Sequence, residues 1–202
     1  MQVDFQILKE KVLAMLSVHS NPLFAYHSVN HTIDVLSTSE KIAAAEGLTD
    51  PHQLLLLKLA ALYHDTGFLV IYKGHEEESC QIVIKDLVNT DLSAVDIEKI
   101  CATIMATKIP QSPKDHLGEI LCDADLDYLG RDDFEMISNN LRKEYFALGI
   151  VQTEAEWIQL QIRFIDGHKY FTKSSREKRS SKKLKHLEKL KKQAVLTTNS
   201  RL

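Results

Sequence analysis

Histidine and acidic residues concentrate in four short segments of this 202-residue chain. They are residues 26–32 (YHSVNHT), 63–67 (YHDTG), 74–79 (GHEEES) and 122–127 (CDADLD). Imidazole nitrogens and carboxylate oxygens are ligands for Zn, Mn, Fe, Co, Ni and Mg. We therefore expect a divalent metal site that draws on these segments.

The adjacent residues His64 and Asp65 follow the most apolar run of the chain, residues 54–63. Ionisable groups beside the core destabilise the fold by several kcal/mol unless they are paired or bind a metal. Both side chains can reach one ion if the helix ends there and the chain turns at Gly67. The structural alternative is a hydrogen-bonded His–Asp pair that caps the helix end.

His27 and His31 are four residues apart and share a helix face if the helix already includes His27. The Asn-Pro pair at residues 21–22 leaves the start of that helix open, so His27 lies either on the helix or in the turn before it. His31 is the firmer candidate, because Val35 and Ile42 continue its face into the core.

Asp125 is the best ligand candidate among the three aspartates of residues 122–127, because Leu121 and Leu129 flank it at four-residue spacing. Glu119, Asp123 and Asp127 form an acidic row at the same spacing, where like charges repel. We expect that row to face water or to pair with a cationic neighbour.

Apolar residues recur at helical spacing along the chain, and no sustained alternation predicts a strand. The few glycines and prolines lie between the apolar stripes. The sequence predicts an all-α bundle of about eight helices followed by a basic helical tail. Helices are expected near residues 3–18, 29–46, 51–65, 80–88, 97–105, 117–128, 131–147 and 153–170.

The net charge of −3 hides a strong asymmetry along the chain. Residues 1–172 hold 14 Lys/Arg and 26 Asp/Glu, whereas residues 173–202 hold 11 and 2. We therefore predict a folded domain over 1–172 and a basic tail over 173–202. The tail is expected to be a solvated helix that packs Leu184, Leu187 and Leu190 on the acidic body. The alternative is an arm for nucleic acid or an anionic membrane, which the acidic body and the lack of interleaved aromatics make less favourable.

The three cysteines form no CxxC pair, which argues against a disulfide framework and favours a reducing, cytoplasmic environment. The apolar run at 54–63 is far shorter than the roughly 20 residues that span a bilayer. No secretory signal is expected at the N-terminus, and no membrane association is predicted.

The order His31, His64-Asp65, Asp125 resembles the H…HD…D pattern of the HD-domain superfamily of metal-dependent phosphohydrolases. The strings YHSVNHT, LAALYHDTGF, GHEEES and DADLDYLG extend the resemblance over about residues 23–135. The resemblance implies an HD-type phosphohydrolase domain within 1–172, with an all-α fold and metal ligands at His31, His64, Asp65 and Asp125.

The resemblance also implies roles for nearby residues. Met105 to Lys108 occupy a position where two-metal relatives often carry a histidine, so one divalent ion is expected. Lys108 is then a candidate to neutralise a substrate phosphate, as basic side chains do in phosphoryl transfer. Asp65 is expected to orient the attacking water, and His27 or His75 to protonate the leaving oxygen.

The leading hypothesis is hydrolysis of a small phosphorylated molecule, a nucleotide first of all, as a phosphomonoester, pyrophosphate or cyclic phosphodiester. The alternative is a non-catalytic, metal-stabilised HD module that binds a nucleotide or a partner protein. Nucleic acid is not an expected partner, and the sequence leaves the oligomeric state open.

Overall fold

A computed structural model describes residues 3–19, 21 and 23–199 of the chain, and it confirms the all-α prediction. Within these residues there are nine α-helices and no strand. The α-helices are α1 Phe5–His19, α2 Val29–Ala45, α3 Pro51–Tyr63, α4 His75–Leu87, α5 Ala94–Met105, α6 His116–Asp125, α7 Phe134–Ala147, α8 Glu154–Gly167 and α9 Lys173–Asn199. Short 3-10 helices, Thr66–Leu69 and Asp127–Gly130, follow α3 and α6. Among the helices of this described part, none combines the length and apolar character that a membrane crossing demands.

Local signals explain where α3 starts. The Asp50 side chain accepts a hydrogen bond from the His52 backbone nitrogen at 2.9 Å, and Pro51 occupies the first turn. An aspartate cap followed by proline is a typical helix start, because proline has no N–H to leave unpaired. The helix ends at Tyr63, two residues before the predicted end, so His64 and Asp65 lie at its C-terminus.

The chain divides into two compact units, which are described separately. The first contains the described residues of 1–22 and 27–125, and the second contains residues 23–26 and those of 126–202. The domain boundary expected between residues 172 and 173 stays a prediction.

In the first unit, α3 is the most enclosed helix. Leu57, Leu59 and Leu62 are fully buried, and α3 contacts α1, α2, α4, α5 and α6. Burial of apolar surface on every side stabilises this position, since each leucine side chain removed from water contributes roughly 1.5–3 kcal/mol. The C-terminus of α3 therefore ends inside the unit, where His64 is only 1% exposed.

In the second unit, the basic helix α9 contributes core residues. Leu187 and Leu190 are buried in one apolar cluster with Tyr128, Phe134 and Ile165. Leu184, the third leucine of the predicted tail stripe, is 55% exposed. The last part of the predicted tail, residues 200–202, lies outside the described residues.

Candidate metal centre

The end of α3 brings two potential ligands to one place. His64 keeps helical backbone angles, with φ −52° and ψ −36°, whereas Asp65 leaves the helix with φ −108° and ψ 6°. The His64 Nε2 atom lies 3.3 Å from the Asp65 Oδ2 atom. Because the backbone leaves helical geometry at Asp65, two consecutive side chains can face the same point.

Gly67 and Ser79 fix this turn against the start of α4. A Cβ atom at Gly67 would lie 1.9 Å from the backbone oxygen of His75, so only glycine fits this approach. The Gly67 N–H donates to Ser79 Oγ at 2.8 Å, and Ser79 Oγ–H donates to the His64 carbonyl at 2.7 Å. The position of the His-Asp pair is thus coupled to α4.

Four side chains from α2, the α3 end and α6 converge at this point. His31 Nε2 lies 3.3 Å from Asp65 Oδ2, 3.1 Å from Asp125 Oδ1 and 3.3 Å from His64 Nε2. His64 Nε2 lies 3.7 Å from Asp125 Oδ1. The ligand atoms of His31, His64 and Asp65 all lie within 4.8 Å of one another, a spacing that a single ion can bridge.

A buried oxygen shows that the cluster suits a cation. Asp65 Oδ2 is buried and receives no hydrogen bond from any side chain or backbone group in the described residues. A carboxylate oxygen in this condition is costly unless a cation offsets it. Imidazole and carboxylate are the donor types that divalent transition metals and Zn²⁺ accept, so the residues present fit such an ion.

The ring orientation of His64 is also suited to ligation. His64 Nδ1 lies 2.9 Å from the Ala61 carbonyl oxygen, which can only accept a hydrogen bond. Nδ1 therefore carries the proton, and in the neutral ring the lone pair lies on Nε2, facing the cluster. A backbone carbonyl that orients a ligating imidazole in this way is common in metal sites.

Without a metal, the two carboxylates of the cluster favour protonation of the two histidines. Burial disfavours the charged form of His31, but the adjacent carboxylates of Asp125 and Asp65 outweigh burial and raise its pKa to about 9. The same opposing causes raise the pKa of His64 well above its usual range. Burial opposes ionisation of Asp125 and Asp65, yet the two histidines lower the pKa of Asp125 to about 2 and that of Asp65 well below its usual range.

Two imidazolium ions and two carboxylates sum to zero charge. Two neutral imidazoles, two carboxylates and one divalent cation also sum to zero. A divalent ion can therefore replace two protons in this buried place without adding net charge, which favours it over a monovalent or trivalent ion.

His75 and His27 both pack on Phe68, next to the four clustered residues. The Phe68 ring stacks on His75 with centroids 3.7 Å apart and packs on His27 at 4.0 Å. His27 lies in the turn before α2, one of the two placements left open by the sequence, with its ring centroid 6.1 Å from that of His31. Phe68 thus holds both rings beside the candidate centre.

The His75 ring faces a carboxylate of the cluster. Gly74, with a positive φ of 86°, turns the chain into α4 and places His75 at the first helical position. His75 Nδ1 donates to the Tyr72 carbonyl at 3.1 Å, and Nε2 lies 3.5 Å from Asp65 Oδ1 and 3.6 Å from Glu76 Oε1. Burial lowers the pKa of His75, but contact with Asp65 outweighs it and the net shift is upward.

Lys108, a candidate for phosphate binding, pairs with the Glu77 carboxylate instead. Both side chains are about half exposed, and the pair raises the pKa of Lys108. Within the described residues Lys108 makes no ion pair with the four clustered residues. Its role toward a phosphate stays a prediction.

The acidic row expected on α6 is only partly as predicted. Asp127 does pair with a cation, since Arg179 Nε lies 2.7 Å from its Oδ1. The expectation that Asp123 faces water is wrong, because it is fully buried. The reason is that α6 is enclosed on most sides, and that it ends at Asp125 rather than continuing to residue 128.

Glu76 and Phe68 were missed as members of this region. Glu76 is 7% exposed and precedes Cys80, Val83 and Leu87 by four, seven and eleven residues. Extending that buried stripe backward by one turn would have separated Glu76 from its exposed neighbour Glu77. No comparable signal marks Phe68, because its stacking depends on the turn at residues 66–69.

The model of the HD domain family matches residues 28–127. The chain belongs to the HD-domain superfamily. The matched segment of this HD protein contains His31, His64, Asp65 and Asp125, and it ends two residues after the last of them. No curated protein and no solved structure shows a significant match to the chain. HD domains are generally metal-dependent phosphohydrolases, and the cluster at His31, His64 and Asp65 could hold the metal.

Proposed function

We propose that this HD protein is a phosphohydrolase that cleaves a nucleotide or a similar small phosphorylated molecule, with one divalent ion held by His31, His64, Asp65 and Asp125. The observation that carries the proposal is the convergence of their ring nitrogens and carboxylate oxygens at 3.1–3.7 Å around a buried oxygen that lacks a hydrogen bond within the described residues. Supporting it, HD relatives are generally hydrolases of this kind.

When bound, a divalent ion would supply Lewis acidity toward the phosphate and a nucleophilic water at neutral pH. The protein's own residues supply orientation. The Ala61 carbonyl holds the His64 ring, and Ser79 holds the backbone of that residue. Asp65 is proposed to orient the nucleophile through its second oxygen, Oδ1, which faces His75.

His75 is proposed to donate a proton to the leaving oxygen. Its Nδ1 is held by the Tyr72 carbonyl, so Nε2 is the atom that exchanges a proton. Stacking on Phe68 keeps the ring plane fixed. His27, which also packs on Phe68, is the second candidate for this role.

Lys108 is proposed to reach the phosphate by leaving Glu77. Solvent screens this exposed ion pair, so a doubly charged phosphate can compete for the lysine. Glu77→Gln would then lower KM by removing the competing carboxylate, and Lys108→Ala would raise KM.

The test is turnover by full-length protein that is stripped of metal and reloaded with Mn, Fe, Co, Ni, Zn or Mg separately. The panel contains phosphomonoesters, nucleotides, pyrophosphate and cyclic phosphodiesters. We expect hydrolysis of at least one nucleotide, and none by His64→Ala. The matched control is His52→Ala, which removes an exposed histidine at the other end of α3 and should leave turnover unchanged.

Bound metal without turnover across the panel would contradict the enzyme proposal. It would favour the non-catalytic module that binds a nucleotide or a partner protein. Failure of the wild-type protein to bind any of the six metals would contradict both.

A further inference from the structure

A cavity lies within the second unit, between α7, α8 and α9. Its volume is about 480 Å³, which falls within the range of small-molecule pockets. None of its lining residues belongs to the candidate metal centre, so a ligand here would serve another purpose than metal binding.

The apolar part of the cavity is aromatic. Phe134 and Trp157 line it and are 5% and 4% exposed, and Leu190 adds an aliphatic surface at 7%. The His186 ring packs on Phe134 with centroids 4.4 Å apart. Because the Phe134 and Trp157 rings are almost fully covered, only their edges reach the cavity, where a flat aromatic ligand can pack edge to face.

The cavity also contains buried polar groups with hydrogen-bonding capacity left over. Ser138 Oγ–H donates to Gln161 Oε1, and both residues are buried, at 7% and 8% exposure. This bond uses the amide oxygen of Gln161 and leaves its NH₂ group as a donor. His186 Nδ1 is buried and has no hydrogen-bond partner among the described residues. A ligand with donors and acceptors along its edge could satisfy both groups.

The charges around the cavity are already neutralised in pairs. Arg142 pairs with Glu154 across α7 and α8, and Lys189 pairs with Glu135 across α9 and α7. Burial lowers the pKa of His186, which disfavours a positive charge on this ring. An anionic ligand would meet the two carboxylates and a cationic ligand the two basic groups, so an uncharged ligand fits best.

We propose that this cavity binds an uncharged, flat heteroaromatic ring with hydrogen-bonding edges, of which a nucleobase carried by a nucleoside is the representative. The ring lies against Trp157, Phe134 and His186. Gln161 hydrogen-bonds its edge, as glutamine amides do with adenine. This second site goes beyond the proposed phosphohydrolase activity and does not depend on it.

Trp157 is the only tryptophan in the chain, so its indole N–H gives one resolved signal from the wall of the cavity. The experiment follows this ¹⁵N–¹H signal in full-length protein during titration with adenosine, guanosine, cytidine or uridine. We expect a saturable shift with at least one nucleoside, with Kd below about 1 mM. No saturable shift with any of the four would overturn the proposal.

Gln161→Met keeps the side-chain length and removes the amide, so affinity should fall about ten-fold. If this variant is unstable, Ser138→Ala combined with Gln161→Met removes both hydrogen-bonding partners and should fold with the same loss of affinity. Lys185→Ala changes an exposed lysine of α9 outside the cavity and should bind as wild type. Equal affinity in the Gln161 variants would overturn the assignment.

Two further arms separate this site from the metal centre and test its preference for uncharged ligands. His64→Ala should retain the full nucleoside shift, and loss of the shift in this variant would assign the binding to the metal centre instead. The 5′-monophosphate of the best nucleoside should shift the Trp157 signal with weaker affinity. Equal or tighter binding of the monophosphate would overturn the inference of an uncharged ligand.

Discussion

The buried carboxylates Asp127 and Asp65, one in each unit, have different kinds of cationic partner. In the second unit Asp127, 3% exposed, is held by Arg179 through two bonds of 2.7 Å, Nε to Oδ1 and Nη2 to Oδ2. In the first unit Asp65, 8% exposed, faces two histidines at 3.3 Å, and one of its oxygens lacks a hydrogen bond within the described residues.

The chemical difference lies in the cations. Arginine is always charged and satisfies a carboxylate through a rigid pair of N–H donors, so the charge of Asp127 is balanced without a metal. Histidine can lose its proton and then offers a lone pair to an ion. A buried carboxylate partnered by histidines is therefore a candidate ligand, whereas one partnered by arginine is a structural element.

The largest expected effect separates the two carboxylates by metal content. Asp65→Ala removes a proposed ligand and should lower metal affinity by at least about 100-fold, with loss of the proposed hydrolysis. Asp127→Ala should leave the metal content at the wild-type value. Metal analysis of both purified variants after loading and desalting tests this difference, and equal metal content in the two would break the comparison.

For the free energy of unfolding, the larger effect is expected from the Asp127 substitution. Asp127→Ala leaves the half-buried Arg179 without this partner and should destabilise the second unit by up to about 3–5 kcal/mol. Urea unfolding followed by the fluorescence of Trp157, which lies in the same unit, measures this loss. Asp132→Ala is the matched control, because Asp132 pairs with Lys182 at a site where Asp132 is 93% exposed and solvent screens the pair, so its loss should be far smaller.

A smaller effect is expected at the turn that positions the His-Asp pair. Gly67→Ala forces a Cβ against the His75 carbonyl, so the turn must move relative to α4, at an expected cost of about 1–3 kcal/mol in stability. Because the His64 and Asp65 side chains move with the turn, kcat should fall more than KM changes. Gly167→Ala, at a helical glycine with open space around it, should have no such effect on kcat. Unchanged turnover in Gly67→Ala would show that the close approach does not position the centre.

The smallest expected effect is the release of protons when the metal binds. In the metal-free protein the neighbouring carboxylates raise the pKa of His31 to about 9 and raise that of His64 as well, so both rings favour the protonated form. Metal binding should therefore release protons, and the apparent affinity should rise with pH up to about 9. Calorimetry in buffers of different ionisation enthalpy measures the number released.

The raised pKa of His31 also makes the stability of the metal-free protein depend on pH. Because the folded pKa of His31 lies above its unfolded value, its stabilising contribution is complete below about pH 6.5 and is lost as pH rises through about 9. Metal uptake without proton release would contradict the charge balance argued for the centre.

The sequence predicted the all-α architecture and singled out the four clustered residues. The apolar run before His64 implied a buried helix end, and the resemblance to HD proteins added the order of the ligands. The arrangement of the side chains around this cluster was harder to predict, because it depends on contacts between secondary-structure elements. The stack of His27, Phe68 and His75 arises from a turn packed on a helix start, and no local spacing encodes it.

The acidic segment at residues 122–127 shows the limit most clearly. Treating it as one continuous helix gave Asp125 as the ligand candidate and Asp123 as exposed. The helix ends at Asp125, and Asp123 is fully buried, because α6 is enclosed by neighbours that helical spacing alone cannot count. The choice of Asp125 still agrees with its position 3.1 Å from His31.

The most direct test of the central claim is anomalous diffraction from crystals of the full chain loaded with a single metal such as Zn²⁺ or Mn²⁺. One anomalous peak per chain is predicted, bonded at about 2.0–2.2 Å to His31 Nε2, His64 Nε2, and one oxygen each of Asp65 and Asp125. The absence of a peak at these four side chains, or a peak held by other residues alone, would contradict the account.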